Sequence, residues 1–150
     1  MADLLRQTQA RNGTVYVAGN GGSAANAAHM AAHLADAGIR AIDLMGVTSL
    51  VSARANDYSY ENALWLSVHK TMGANDCVMV FSVSGRSSNI RTLLDHAREE
   101  KVPIIAIYGS AAEIRADAGV ALDSRHYGAV EDAHSFILHA LAEMLRPSRA

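Results

Sequence analysis

Cysteine is almost missing from this chain. Cys77 is the only one in 150 residues, so no disulfide can close within it. A lone thiol at the head of an apolar run reads as a buried group in a reducing compartment. Basic runs are missing too. Thirteen Lys and Arg stand against fifteen Asp and Glu, a formal charge of −2 with both signs interspersed, and no five cations follow one another. That excludes the positive surface by which a protein holds nucleic acid or an anionic membrane. No apolar stretch approaches the length of a bilayer span, and Met1 to Arg6 lacks the charged-then-apolar layout of a secretory signal. With nothing directing it elsewhere, a cytoplasmic location is expected. No linker, repeat or low-complexity segment interrupts the chain.

Half of the residues are hydrophobic and 19% are charged, the balance of a chain that folds around a core. Its length suits one domain over 1–150. Strand and helix patterns alternate along it. A short amphipathic start with Leu4 and Leu5 reaches Asn12-Gly13. Thr14–Ala18 is β-branched and apolar, a buried strand stopped by glycine. Ser23–Ala37 is alanine-rich and helical, closed by Gly38. Arg40–Leu44 reads as a strand, Tyr60–Met72 as a helix, Cys77–Phe81 as a strand and Ser87–Glu100 as a helix. Val102–Ile107 is a further strand with Pro103 near its start, and Ala118–Leu122 a short fifth one. Val130–Leu145 is a helix with Val130, Ala133, Phe136, Ile137, Ala140, Leu141 and Met144 on one apolar stripe, stopped by Pro147. Such alternation predicts an α/β fold: a three-layer sandwich whose parallel sheet is covered on both faces. Ligands in such folds sit beyond the carboxyl ends of the strands.

Two loops at such ends suit an anion. Gly19-Asn20-Gly21-Gly22-Ser23 lets backbone N–H groups come close to a ligand at a helix N-terminus. Ser82-Val83-Ser84-Gly85-Arg86-Ser87-Ser88 offers hydroxyl donors and a guanidinium. Glycine and serine also build ordinary turns and N-caps, but two such loops in one small domain favour the anion. Neither has the Gly-Lys-Ser/Thr ending of a Walker loop or the Gly-x-Gly-x-x-Gly pattern, so a nucleotide is not the first choice.

Histidine supplies the second signal. His29 and His33, four apart, share one helical face and offer two nitrogens from one rigid element. Glu131, Ser135 and His139 share a face of the last helix. His139 interrupts the apolar run Phe136-Ile137-Leu138 and Ala140-Leu141, so a buried imidazole with partners is expected there. His69 and His96 read as solvated, His134 as a packing residue, and Met30, Leu34 and Trp65 as core.

The order Gly19-Asn20-Gly21-Gly22-Ser23, Asn56-Asp57-Tyr58, Ser82-Val83-Ser84-Gly85 with Ser87, and Glu131-Asp132-Ala133-His134 with His139 resembles the sugar isomerase (SIS) domain family, in its phosphoheptose isomerase branch. The match runs from about Thr14 to Leu145. It implies a flavodoxin-like five-stranded parallel sheet and the ketose–aldose isomerisation of a phosphorylated sugar such as sedoheptulose 7-phosphate. Phosphate would be held by Ser82, Ser84 and Ser87. The sugar would be contacted by the Asn20–Ser23 loop (Asn20, Gly21, Gly22, Ser23) and by Asn56 and Asp57. Family members are usually tetramers with sites at subunit boundaries. Only about a dozen residues precede the first strand here, where the family has a long helical region, so the resemblance implies a homo-oligomer that is a tetramer or a dimer.

The resemblance also implies a divalent metal, zinc by preference, at the positions of His29, His33, Glu131 and His139. Here His33 stands where the family has a catalytic glutamate and Glu131 where it has a glutamine, so one carboxylate is kept. Val83 replaces a common threonine and Arg86 an asparagine. Isomerisation through an enediol needs a base and a proton shuttle: Glu131 is the base implied, His139 the shuttle, and His33 an alternative base. A non-catalytic regulatory or scaffold protein that binds a sugar phosphate is the alternative.

Overall fold

The computed structural model describes residues 1–110 and 113–146; Pro147, expected to stop the last helix, lies outside them. Along the chain run α1 (Ala2–Ala10), β1 (Val15–Ala18), α2 (Gly22–Asp36), β2 (Ala41–Asp43), α3 (Thr48–Asp57), α4 (Tyr60–Val68), β3 (Cys77–Ser82), α5 (Ser88–Glu99), β4 (Ile104–Gly109), β5 (Ala118–Leu122) and α6 (Tyr127–Leu145). The strands form one sheet in the order β2-β1-β3-β4-β5, and every pairing is parallel. This is the flavodoxin-like order, with its topological switch between β1 and β3.

The central strands are apolar up to Ser82 at the end of β3 because both of their faces are buried. Alternate residues serve opposite cores. Tyr16, Ala18, Val78, Val80, Ile104 and Ala106 pack with Leu64 of α4 and Ile90, Leu93 and Ala97 of α5. Val15, Val17, Met79, Phe81, Ile105 and Ile107 pack with Leu5 of α1, Met30 and Leu34 of α2 and Leu138 of α6. Cys77 belongs to the second core and is a free thiol. Burial, with the Asp117 charge second, raises its pKa to about 12, so it stays protonated and inert near neutrality. Among the described residues no helix is long and apolar enough to cross a membrane.

Several expectations need correction. The α3 helix was not foreseen, since Val51 is its only buried side chain and no stripe announces it. The helix expected over Tyr60–Met72 ends at Val68. β4 starts after Pro103 rather than before it, as a residue without an N–H donor favours. α6 begins at Tyr127, with Ala129 N–H donating to Nδ1 of its cap residue His126 at 3.3 Å. The buried face of α6 is Val130, His134, Leu138, Leu141, Ala142 and Leu145. The stripe read from the sequence is therefore rotated, leaving Phe136 76% and Met144 58% exposed. His139 is exposed too, not buried. Trp65 is only partly buried. His96 is half-buried, stacked on Trp65 with centroids 4.3 Å apart, and His69 lies against the same indole.

His134 is fully buried, edge-on to Phe81 at 5.4 Å, with neither ring nitrogen paired. Burial lowers its pKa from 6.5 to about 4. The unfolded chain therefore takes up the proton first, so stability present above pH 6.5 is lost as pH falls toward 4. This one group is expected to cost about 3 kcal/mol between pH 7 and pH 4. Urea unfolding of His134→Leu at both pH values should show a correspondingly smaller acid loss than the parent chain. Parallel pH profiles would show that the ring finds a partner for its charge.

Candidate functional site

Val17 pairs with Met79 and Ala18 with Val80, so the loops leaving β1 and β3 emerge side by side at the switch point. Each then enters a helix. Gly21, the residue before α2, has φ +57, a left-handed conformation that costs glycine nothing. At Gly22 a Cβ would run into the Glu131 carboxylate; the absence of a side chain there is what lets α6 bring Glu131 over the start of α2. Asn26 Nδ2 donates to the Glu131 carbonyl at 3.1 Å and fixes that approach.

The serine loop is tied by its own hydroxyls. Gly85 N–H donates to Ser82 Oγ at 3.0 Å, and Arg86 N–H to Ser84 Oγ at 3.1 Å. A hydroxyl that accepts in this way still has its own proton to donate. Ser87 is the N-cap residue of α5, and its side chain makes no capping bond. The two loops are clamped together by an amide pair: Asn20 Nδ2 donates to Asn89 Oδ1 and Asn89 Nδ2 to Asn20 Oδ1, both at 2.9 Å. The Tyr60 hydroxyl donates to the same Asn20 oxygen at 2.7 Å.

Between the loops lies a small cleft, about 50 Å³, lined by Asn20, Ser23, Ser82, Val83, Ser84, Ser87, Tyr127 and Glu131. Among the described residues no cationic side chain lines it. An anion there would be held by neutral donors and by the partial positive charge at the α5 N-terminus. The one formal charge among the described lining residues is the Glu131 carboxylate.

A second group sits farther along α2. The rings of His29 and His33 are 4.6 Å apart, His29 and His139 4.9 Å, and His33 and His139 5.4 Å. One nitrogen from each lies within 4.8 Å of the others, so these three residues could hold a metal ion. The parallel packing of α6 on α2 creates the group, bringing His139 to a pair the sequence had already set on one face. His33 Nε2 is buried and without a partner. Burial first, then the neighbouring imidazoles of His29 and His139, lowers the His33 pKa, keeping the ring in the neutral form a metal needs. Three imidazoles with no thiolate suit zinc or a similar ion. Glu131 is not among the grouped donors.

Of the residues singled out from sequence, Asn20, Ser23, Ser82, Ser84, Ser87 and Glu131 meet at the cleft, while Gly21 and Gly22 shape its edge. Asn56 and Asp57 do not line it; they are exposed at the end of α3, with Asn56 Nδ2 donating to Asp57 Oδ1 at 3.0 Å. Three site residues escaped the sequence reading. Tyr127 lies four residues before Glu131 and so on its face. Asn89 is 1% exposed and shares the buried face of α5 with Leu93 and Ala97, a polar residue on an apolar stripe. Tyr60 carried no signal.

The SIS domain family model matches residues 1–109. Phosphoheptose isomerase of Helicobacter pylori (strain Shi470) is 28% identical over 151 aligned residues, which cover 95% of this chain and 79% of that protein. The solved phosphoheptose isomerase of Neisseria gonorrhoeae superposes with a TM-score of 0.89 at 27% identity, covering 96% of this chain and 82% of that one. The enzyme from Francisella tularensis shares the fold with a TM-score of 0.88 at 24% identity, over 96% and 81% of the two chains. On its sequence, its sheet order and the two loops at its switch point, this chain belongs to the SIS domain family and is similar to the phosphoheptose isomerases.

Proposed function

We propose that this protein is a sugar-phosphate isomerase that interconverts the ketose and aldose forms of a phosphorylated sugar such as sedoheptulose 7-phosphate. One observation carries the reading: hydroxyl donors from the β3 loop and a single carboxylate from α6 converge on one cleft at the sheet's switch point. The hydroxyls of Ser82, Ser84 and Ser87 and the start of α5 bind the phosphate. Like charges repel, so the dianion keeps to the serine side and the carbon chain runs along Glu131. A cleft of about 50 Å³ takes the phosphate but not the whole sugar. The rest lies along the Asn20–Ser23 loop and the exposed ring of Tyr127.

In this position Glu131 takes the proton from one carbon and returns it to its neighbour through an enediol. Asn26 and Gly22 hold the carboxylate's helix in place. His29, His33 and His139 would hold a divalent metal, zinc by preference, which would supply a Lewis acid to a sugar oxygen that extends past Glu131 toward that group. Without a metal at that group, His139, exposed at its edge, would be the proton shuttle and His33 the alternative base.

The names of the similar isomerases from Helicobacter and Neisseria agree with this chemistry. The enzyme works in the cytoplasm as a homo-oligomer. Phe136 and Met144, apolar and exposed on the same stretch of α6 as His139, are the surface a second copy would cover, at ~1.5–3 kcal/mol for each side chain fully buried. Asn56 and Asp57 would then contact sugar across the subunit boundary.

The test is a proton-exchange assay. Zinc-loaded protein is incubated in D₂O with sedoheptulose 7-phosphate and with six- and five-carbon ketose phosphates, followed by NMR. Deuterium should enter at the carbon next to the carbonyl as aldose forms. Absence of exchange and of product with every sugar phosphate would overturn the assignment.

A further inference from the structure

Within the serine loop one peptide is held at both ends. The N–H of the Gly85–Arg86 peptide goes to Ser84 Oγ at 3.1 Å. Its carbonyl, Gly85 O, accepts from Arg91 Nε at 2.6 Å. The same guanidinium donates through Nη2 to the Glu113 carbonyl at 3.1 Å, on the segment between β4 and β5. Arg91 stands on the first turn of α5, anchored by its backbone N–H to Ser87 O at 3.0 Å, and is not among the residues lining the cleft.

We propose that Arg91 is a positioning residue for the phosphate-binding loop: its guanidinium bridges the Gly85 and Glu113 carbonyls and fixes the peptide whose other end orients Ser84. The proposal rests on the phosphate reading above. Gly85 has φ +61, and a glycine there is free to leave that conformation. A flip of the peptide would exchange a donor for an acceptor and break the bonds to Ser84 and Arg91 together. The bridge needs a planar fork with donors pointing along two directions; an ammonium group is a point charge and cannot span both carbonyls in that geometry. Arg91 thus acts through the backbone rather than through its charge, and couples the loop after β3 to the loop after β4, strands that are neighbours in the sheet.

The test compares Arg91→Lys, which keeps the charge, with Arg91→Gln, which removes it. Two readouts are taken on full-length, folded protein: amide hydrogen exchange at Gly85 and Arg86, and the affinity for inorganic phosphate together with KM and kcat. Both variants should exchange faster at those two amides. Both should bind phosphate about tenfold more weakly and show KM raised by a similar factor, the size expected for losing a hydrogen bond to a charged group, with kcat nearly unchanged. Wild-type affinity and exchange in Arg91→Lys would overturn the proposal in favour of a purely electrostatic effect. Unchanged local exchange in both variants, with only a lower urea midpoint, would reduce Arg91 to general stability. Should the parent protein itself bind no phosphate, the functional reading fails, and the exchange measurement alone still decides whether Arg91 holds the loop.

Discussion

Glu131→Gln is expected to lower kcat for the sugar-phosphate isomerisation by ~10²–10⁴, the usual worth of a positioned acid–base group, while binding inorganic phosphate as well as the parent or better. The two halves of that expectation come from one geometry. Glutamine has the shape of glutamate, so the contact with Gly22 and the bond from Asn26 to the residue 131 carbonyl survive, and the cleft keeps its form. What is lost is the one carboxylate among the described residues of the lining. The negative charge it brings beside the phosphate site goes with it, hence the gain rather than loss in anion affinity. Full activity in the variant would remove Glu131 from the chemistry and shift the base to His33. A parent protein that binds phosphate yet turns over no sugar would favour a regulatory or scaffold protein. For such a protein the substitution should leave partner binding untouched.

The sheet could be read from sequence because burial on both faces leaves nothing but apolar residues. Cys77–Phe81 and Val102–Ile107 are continuous runs, and both became strands with shifts of a residue or two at their ends. Helix faces were harder. α6 is apolar nearly all round, so hydropathy alone could not choose between Val130-His134-Leu138 and Val130-Ala133-Ile137 as the inward side. The sheet decided by giving His134 a place against Phe81, which turned Phe136, His139 and Met144 outward. α3 was invisible because a ten-residue helix with one buried side chain carries no period to detect. At the site, residues close in sequence were legible, and long-range pairs were not. The serine loop and the His29–His33 spacing stand in the sequence as they stand in the fold. The Asn20–Asn89 clamp spans 69 positions and depends on β1 and β3 being neighbours, which no local pattern announces.

The sequence grouped Glu131 with His29, His33 and His139, and the second large effect follows from their separation. Glu131 and His139 are eight residues apart on one helix, a backbone rise of about 12 Å, and the Glu131 carboxylate is not grouped with the three imidazole nitrogens. With Glu131 turned to Gly22 and the three imidazole nitrogens within 4.8 Å of one another, the three histidines could hold a metal ion without the carboxylate. His139→Ala should weaken zinc affinity by on the order of 100-fold or more, since even residues behind the ligands are typically worth 10–100-fold. Glu131→Gln should leave it within a few-fold of the parent. Competition against a chromophoric chelator measures both on the folded protein without reference to turnover. Equal losses in the two variants would return the carboxylate to the metal, and unchanged affinity in His139→Ala would mean that the three rings are neighbours only.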